Sequence, residues 1–342
     1  MNRRFLLART LFLTFASLTF IQPVFSCDLC SIYIASEAHG ESPQALNVSL
    51  SEQFTHFGTM QRDGARVPDD VGQYLNSAIT QIVLGYRVTE AFSLQLNVPY
   101  IHREFRRPEN FSIDSGVDAD GDGVNDFTQG TNIEHGTETG LGDVSLIGNF
   151  TAVRLDEDGF IFRWNILGGV KFPTGNSGRI SEELREIDVD GAPESGIHGH
   201  DLTLGSGSFD GILGTSVSLN WKRAFLDASV QYSIRSEGDY GYQFANDLTW
   251  SGGPGFYLWL EHEGTLALAG NVSGESKGRD TFRGERADDT GVTAVYLGPR
   301  LIGTYGEQFS ADIGVDLPQS IQNTALQLVP DYRVHAAITW RF

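Results

Sequence analysis

Carboxylates are concentrated in one short stretch of this sequence. Within nine residues it holds Asp118, Asp120, Asp122 and Asp126. Oxygen ligands at alternate positions, a glycine for the sharp turn (Gly123) and a carbonyl at the seventh position (Val124) match the start of a calcium loop. Gln129 stands where an EF-hand has its bidentate glutamate, so the match is partial. The pattern predicts a structural Ca²⁺ site at these five positions, because a cation relieves repulsion among the carboxylates; a solvated acidic loop tip is the alternative.

The two cysteines, Cys27 and Cys30, have the Cys-x-x-Cys spacing. Ser31 follows the second cysteine where a c-type haem site needs histidine, which disfavours haem attachment. A structural zinc site needs four ligands, and only His39 lies nearby. Three interpretations stay open: a disulfide or redox pair, a lipid-modified Cys27, and a metal-binding or partner-docking segment.

Imidazoles stand close together at His198 and His200, next to Asp201. They are a candidate for transition-metal binding, but two ligands do not make a site, and packing within a loop is the alternative. The sequence shows neither a Gly-x-Ser-x-Gly nucleophile elbow nor a His-x-Ser pattern. No catalytic residue is predicted, because no nucleophile has a recognisable base, and we expect the chain not to be an enzyme.

The N-terminus determines where these residues have to act. Residues 1–26 have a positive start (Arg3, Arg4 and Arg9), an apolar run over 11–21 and a cleavage position before Cys27. This pattern predicts a secretory signal peptide. It leaves residues 27–44 as a periplasmic segment that carries the Cys-x-x-Cys pair, and 45–342 as the folded domain.

Strict alternation of apolar and polar residues is the main structural signal. It is clearest at 92–100 and in the final strand, 331–342, where Tyr332, Val334, Ile338 and Trp340 alternate with more polar residues. Such a strand has one apolar and one polar face. An aromatic last residue, Phe342, resembles the closing strand that the assembly machinery of Gram-negative outer membranes recognises.

Connections between the predicted strands alternate in length. Tight turns follow every second strand, whereas long polar loops cover 103–140 and 173–207. Outer-membrane barrels have short periplasmic turns and longer external loops. The pattern predicts an all-β, antiparallel, up-and-down transmembrane barrel of about twelve strands. The Asp-rich stretch near 114–130 then belongs to an external loop.

In a barrel of this kind, the polar face of each strand points inward. Charged residues of that face are therefore expected to line the lumen, as ion pairs or along the path of a polar or anionic solute. They are Arg87, Arg163, Asp227, Arg235, Asp312, Asp316, Arg333, His335 and Arg341.

Composition agrees with this class. Hydrophobic residues make up 40% of the chain and the net charge is −20, which suits a barrel with a polar lumen and argues against nucleic acid as a partner. No later window approaches the roughly 18 unbroken apolar residues of a spanning helix.

Three segments of the sequence resemble a known protein family. The sequences at 140–146 (Gly-Leu-Gly-Asp-Val-Ser-Leu), 171–175 (Lys-Phe-Pro-Thr-Gly) and 204–210 (Leu-Gly-Ser-Gly-Ser-Phe-Asp) resemble the outer-membrane family named for the MetA pathway of phenol degradation. The resemblance spans roughly residue 75 to the C-terminus. It implies a transporter-like barrel in the cell outer membrane, in contact with lipid, that passes a small solute. The alternative is a closed barrel that serves a periplasmic redox or metal-handling partner through the Cys27–Cys30 segment.

Overall fold

The computed structural model describes residues 46–114, 127–184, 189 and 191–342. The predicted signal peptide, Cys27, Cys30 and the calcium positions Asp118, Asp120, Asp122, Val124 and Asp126 lie outside the described residues. What the sequence indicates for them stays a prediction.

Strands dominate the described chain. In chain order they are β1 (Leu46–Arg62), β2 (Ala65–Arg66), β3 (Tyr74–Arg87), β4 (Phe92–Asp114), β5 (Phe127–Leu141), β6 (Ser145–Glu157), β7 (Phe160–Lys171), β8 (Asp210–Trp221), β9 (Ala224–Ile234), β10 (Tyr242–Gln243), β11 (Asp247–Glu261), β12 (Gly264–Lys277), β13 (Thr281–Phe282), β14 (Glu285–Arg286), β15 (Val292–Tyr305), β16 (Phe309–Asn323) and β17 (Leu326–Arg341). Helical structure consists of the 3₁₀ segments Gly178–Leu184, Asp239–Gly241 and Asp288–Thr290 and one helical turn, Gly199–Leu202. No helix in the described part of the chain is both long and apolar enough to cross a bilayer.

Twelve of these strands form one closed antiparallel barrel. Neighbouring strands pair in the order β1, β3, β4, β6, β7, β8, β9, β11, β12, β15, β16 and β17, and β17 pairs back onto β1. The closing ladder runs from Asn47 opposite Arg341 to Arg62 opposite Leu326, with one bulge near Phe57. Closure leaves no sheet edge along the ring, which a bilayer requires. The predicted barrel architecture is confirmed.

The two faces of the wall have opposite polarity. On β17, Ile338 and Trp340 are 49% and 48% exposed, whereas Thr339 and Arg341 are each 6% exposed. On β3, Ile82 and Leu84 point outward while Gln81 is buried. Apolar side chains on the outside and polar ones on the inside are the pattern of a sheet whose solvent is lipid.

The barrel has a turn end and a loop end. Both termini of the barrel and the turns 88–91, 158–159, 222–223, 262–263 and 306–308 lie at the turn end; the longer connections lie at the loop end. The last connection, predicted as a loop, is instead a two-residue turn, Thr324–Ala325, with Ala325 at φ 50°.

The loop predicted over 103–140 is also wrong in part, because β4 and β5 form a long hairpin arm there. β5 and β6 both pair with β4 and are separated by residues 142–144. Along this arm the outward His102 and Glu104 are polar and the inward Arg103 is too. Polar residues on both faces remove the alternation that predicts a strand.

Candidate functional site

The connection between β7 and β8 folds into the barrel. We call residues 172–209 the plug segment. Its side chains Ile180, Ile197, Leu202 and Leu204 are at most 5% exposed. Ile180 packs against Tyr242 and Phe244, in the connection between β9 and β11. The other three pack against the inner face of β1, β3, β4 and β17; the contacted side chains are Phe57, Leu75, Ile79, Ile101, Phe105, Leu326 and Leu328. The long loop that the sequence places outside the barrel therefore fills part of its interior.

Backbone hydrogen bonds tie the plug segment to the wall. The Leu328 amide on β17 donates to the carbonyl of Gly196 at 2.8 Å. The Gly196 amide donates to the side chain of Gln73 at 2.9 Å, and Gln73 donates to the Glu194 carbonyl at 3.0 Å. A Cβ at Gly199 would lie 2.4 Å from the carbonyl oxygen of Arg179. Only glycine allows this approach of two parts of the plug.

Buried charged residues hold both ends of the plug segment. We call them the anchor cluster, and they are Asp143, Lys171, Asp210, Arg235 and Asp247. The Lys171 ammonium lies 2.6 Å from Asp143 and 2.8 Å from Asp210. Arg235 lies 2.9 Å from Asp210 and 2.7 Å from Asp247. Charge-assisted hydrogen bonds of this kind are short and strong.

Asp143 also binds the plug backbone directly. Its carboxylate accepts the Gly175 amide at 3.0 Å and the Ser206 amide at 2.9 Å. The three segments that carry the family resemblance thus converge, since Asp143 comes from the first, Lys171 and Gly175 from the second, and Ser206 and Asp210 from the third. The sequence shows these residues as motifs but not their meeting point.

A second charged group, the latch cluster, joins the middle of the plug to the β4–β5 arm. It consists of Arg107, Glu134, Glu138, Arg179 and Glu182. Arg107 lies 2.9 Å from Glu134 and 2.6 Å from Glu182, and Arg179 lies 2.7 Å from Glu138. Burial alone would lower the pKa of Arg179, but hydrogen bonds to Glu138 and Glu182 outweigh it and raise that pKa.

The predicted histidine pair forms a third group, the histidine cluster. His198 and His200 stack at 5.7 Å, and His200 is 2% exposed. His200 Nδ1 lies 2.9 Å from Glu183 and its Nε2 lies 3.4 Å from Asp201. His198 Nε2 lies 3.2 Å from Asp289, on the loop before β15. The ion pairs of this cluster join two loops. Among the described residues no group of three or more ligands has metal-binding geometry.

Electrostatics in this cluster favour the imidazolium form of His200. Burial would lower the pKa of His200, but the carboxylates of Asp201 and Glu183 outweigh it and raise that pKa well above its ordinary value. Burial would raise the pKa of Asp289, but the charges of His198 and His200 outweigh it and lower that pKa.

The opposite side of the interior is less filled. Some polar side chains on the inner face of β6 to β12 keep part of their surface accessible, although Ser229, Gln231 and Ser233 on β9 are buried. We call the accessible ones the open wall. They are Asn149, Arg163, Asn165, Ser216, Ser218, Asp227, Ser251, Asn271 and Ser273. On β1, by contrast, the inward Ser51 and Thr55 are 2% and 1% exposed. The plug therefore leaves space beside the open wall.

Comparison with known proteins identifies the fold. No family model matches the chain, and no curated protein matches it. The COG4313 outer membrane channel from Pseudomonas putida F1 aligns with a TM-score of 0.56 and 12% identity, over 89% of this chain and 97% of that chain. The chain has the fold of an outer-membrane β-barrel.

Two further solved structures align less closely. The beta domain of the Bordetella autotransporter BrkA aligns with a TM-score of 0.44 and 8% identity, over 87% of this chain and 100% of that chain. The CymD monoaromatic hydrocarbon channel aligns with a TM-score of 0.38 and 6% identity, over 87% of this chain and 89% of that chain. Because no family model matches, the resemblance to the MetA-pathway family stays a prediction.

Within this outer-membrane fold, the predicted lumen residues lie on inward positions of their strands or, for Arg235, directly after one. Arg235 belongs to the anchor cluster, and other contacts join Arg333 to Glu275 at 2.5 Å, Asp312 to Arg300 at 3.0 Å, His335 to Asp316 at 3.7 Å, and Arg341 to Ser310 at 3.1 Å. Arg163 and Asp227 lie on the open wall, and Arg87 lies at the turn end of β3.

Sequence reasoning missed several interior residues. Arg333 stacks on the ring of Tyr296 at 4.1 Å, and Tyr296 donates to Glu275 at 3.0 Å. Arg300 completes the pair with Asp312. The signal was present, because Tyr296 and Arg300 share the inward parity of β15.

Proposed function

We propose that this barrel is a channel in the outer membrane that lets a small solute cross. The open wall is the observation that carries the proposal. Polar side chains that face inward and stay accessible provide a wettable surface beside the plug segment. The fold shared with an outer-membrane channel supports the same conclusion.

In this proposal the loop end faces the cell exterior and the turn end faces the periplasm, as in other outer-membrane barrels. The signal peptide directs export, and the strand that ends in Phe342 is recognised by the assembly machinery. Membership of the MetA-pathway family is part of the proposal, supported by the convergence of its three motif segments in the anchor cluster.

The proposed path runs between the plug segment and the open wall. At the loop end it passes the anchor and histidine clusters, and further along it passes Arg163 and Asp227. Ion pairs such as Arg333 with Glu275 set the field inside the lumen, and Arg163 and Asp227, which keep part of their surface accessible, contact the solute.

Single-channel recording tests this path. The folded full-length protein in a planar bilayer is expected to give stable current steps. Ser218 faces inward on β8 and its neighbour Val217 faces outward. Ser218→Trp should therefore reduce the step size, whereas Val217→Trp should leave it unchanged because lipid accepts the ring.

The channel proposal would be refuted if the protein gave no current while showing the heat-dependent gel mobility of a folded barrel. Equal step sizes for the two tryptophan variants would also refute it, since the solute would then not pass the open wall.

A further inference from the structure

A groove of about 490 Å³ lies on the outer face of the barrel, where β1, β15, β16 and β17 run side by side. Small residues form its floor: Ala311 lies opposite Gly303 on β15, and Ala336 on β17 lies opposite Ile313, diagonal to Ala311. Its walls are apolar and exposed, and consist of Leu50, Leu266, Leu301, Ile313 and Ile338. Glycine within a strand often marks a place where another molecule approaches the backbone.

One end of this groove carries a carboxylate. Glu52 points outward near the middle of β1, directly opposite Ala336 on one side and Thr80 on the other. It accepts a hydrogen bond from the Thr80 hydroxyl. Within the described residues Glu52 takes part in no ion pair.

The surroundings of Glu52 are those of a lipid-facing surface. Leu50 precedes it on the same face and is 46% exposed, and the neighbouring Ile82 and Ile338 are 47% and 49% exposed. An ionisable side chain among lipid-facing residues is destabilising, and such residues are typically retained for function. A cationic group beside Glu52 would offset this penalty, because an opposite charge stabilises the carboxylate.

We propose that this groove binds a cationic amphiphile, with its protonated amine on Glu52 and its single hydrocarbon chain along the floor formed by Gly303, Ala311 and Ala336. The negative charge at one end selects an amine over a neutral or anionic head group, and the apolar walls exclude a polar chain. The site is on the outer wall, so it does not depend on passage of a solute through the interior.

Chemical trapping tests the proposal. The folded full-length protein in phosphatidylcholine vesicles is treated with dicyclohexylcarbodiimide and dodecylamine, and the amide formed on Glu52 is quantified by mass spectrometry. Dodecyltrimethylammonium, which cannot form an amide, is expected to reduce this adduct about tenfold when in excess, whereas dodecanol, with the same chain, should have little effect.

Variants separate the groove from the carboxylate. Ala336→Leu keeps Glu52 but fills the floor, and is expected to lower the adduct about tenfold. Ala228→Leu, an outward alanine on β9, is the matched control and should react like the wild type. Heat-dependent gel mobility verifies that each variant is folded.

Equal adduct in Ala336→Leu and wild type, or no protection by dodecyltrimethylammonium, would show that Glu52 meets only bulk lipid and would overturn the proposal. A cross-linked dimer that contains Glu52 and excludes the amine would overturn it in favour of a second copy of the chain.

Discussion

Lys171 is the residue on which the anchor cluster depends most. It is 4% exposed and bridges Asp143 and Asp210. Lys171→Met removes the cation, so that buried Asp143 loses its ion pair and Asp210 keeps only Arg235. Breaking a buried pair in this way typically destabilises by about 3–5 kcal/mol. We expect the barrel to stay closed and the plug segment to detach, with faster tryptic cleavage after Arg179 as the measurement.

Lys222→Met, in an exposed turn, is the control for loss of a lysine. Under the channel proposal Lys171→Met should also raise the single-channel current. A plug segment as resistant to trypsin as in wild type would show that the anchor cluster does not hold the plug.

His200 makes docking of the plug dependent on pH. Its pKa is raised above the ordinary value of 6.5 in the folded state. Its contribution to stability is therefore fully present below pH 6.5 and is lost as the pH rises through the raised pKa. Asp289, whose pKa is lowered, acts in the opposite sense, since its contribution is lost only as the pH falls through that lowered value.

The groups that face this pair from other loops are Asp289, Tyr242 and the buried Lys277–Asp280 ion pair. We expect alkaline pH to loosen the plug, measured as proteolysis of residues 191–209 across a pH series. His200→Gln should remove the pH dependence, and His135→Gln, which changes an exposed histidine on β5, should preserve it. A flat profile in the wild type would refute the assignment.

Calcium binding is a prediction of the sequence at residue scale. Asp120→Asn together with Asp122→Asn removes two of the predicted carboxylate ligands, so calorimetric Ca²⁺ binding should weaken strongly. Asp69→Asn together with Asp70→Asn is a control with the same change of charge in another loop. Equal Ca²⁺ affinity in the two double variants would exclude the predicted site.

At the scale of elements, the sequence predicts those strands whose two faces meet different solvents. β17 was predictable because Trp340 faces lipid and Arg341 faces the interior. The β4–β5 arm was not, because Arg103 and Glu104 are both polar although they face opposite sides. The plug segment was not predictable either, because it is irregular and its burial depends on distant partners. Arg107 and Ile197, for example, are 90 residues apart.

Some parts of the candidate site were likewise predictable from the sequence and others were not. Alternation on each strand places Arg333 and Asp312 inside, and the structure agrees with that position. The anchor cluster could not be assembled from sequence, since Asp143, Lys171 and Asp210 lie on three separate strand ends. The pairing register of β6, β7 and β8 brings them together.

The close approach of β15 to β16 requires a glycine at Gly298. A Cβ at Gly298 would lie 1.6 Å from the carbonyl oxygen of Val315, a backbone atom that cannot rotate away. Gly298→Ala is therefore expected to shift the ladder and destabilise the barrel by about 1–3 kcal/mol. Urea-dependent unfolding in vesicles measures the change.

Gly168→Ala is the matched control, because a Cβ there meets nothing within 4 Å. If the two variants unfold at the same urea concentration, β15 and β16 are not held as closely as the structure indicates.

At the scale of the whole molecule, the channel proposal raises the question whether the plug segment moves while a solute crosses the barrel. The anchor, latch and histidine clusters hold it at both ends and in the middle, which favours a fixed plug with solute passing beside it. At Gly196 a Cβ would lie 3.7 Å from Cβ of Leu328 on β17, which is within the range that a disulfide spans. Gly196→Cys with Leu328→Cys, in a chain with Cys27→Ser and Cys30→Ser, should therefore lock the plug to the wall.

With a fixed plug, oxidation of this pair should leave the single-channel current at neutral pH unchanged, because the space beside the open wall remains. Detachment of the plug segment at alkaline pH should raise the current, as in Lys171→Met. Oxidation should abolish this increase, since the locked segment cannot detach when His200 loses its proton. Each single-cysteine variant controls for the substitutions themselves, and reduction should restore the pH response. Loss of current on oxidation would instead mean that the plug has to leave the wall for every passage, and the path would then run through the volume that the plug occupies.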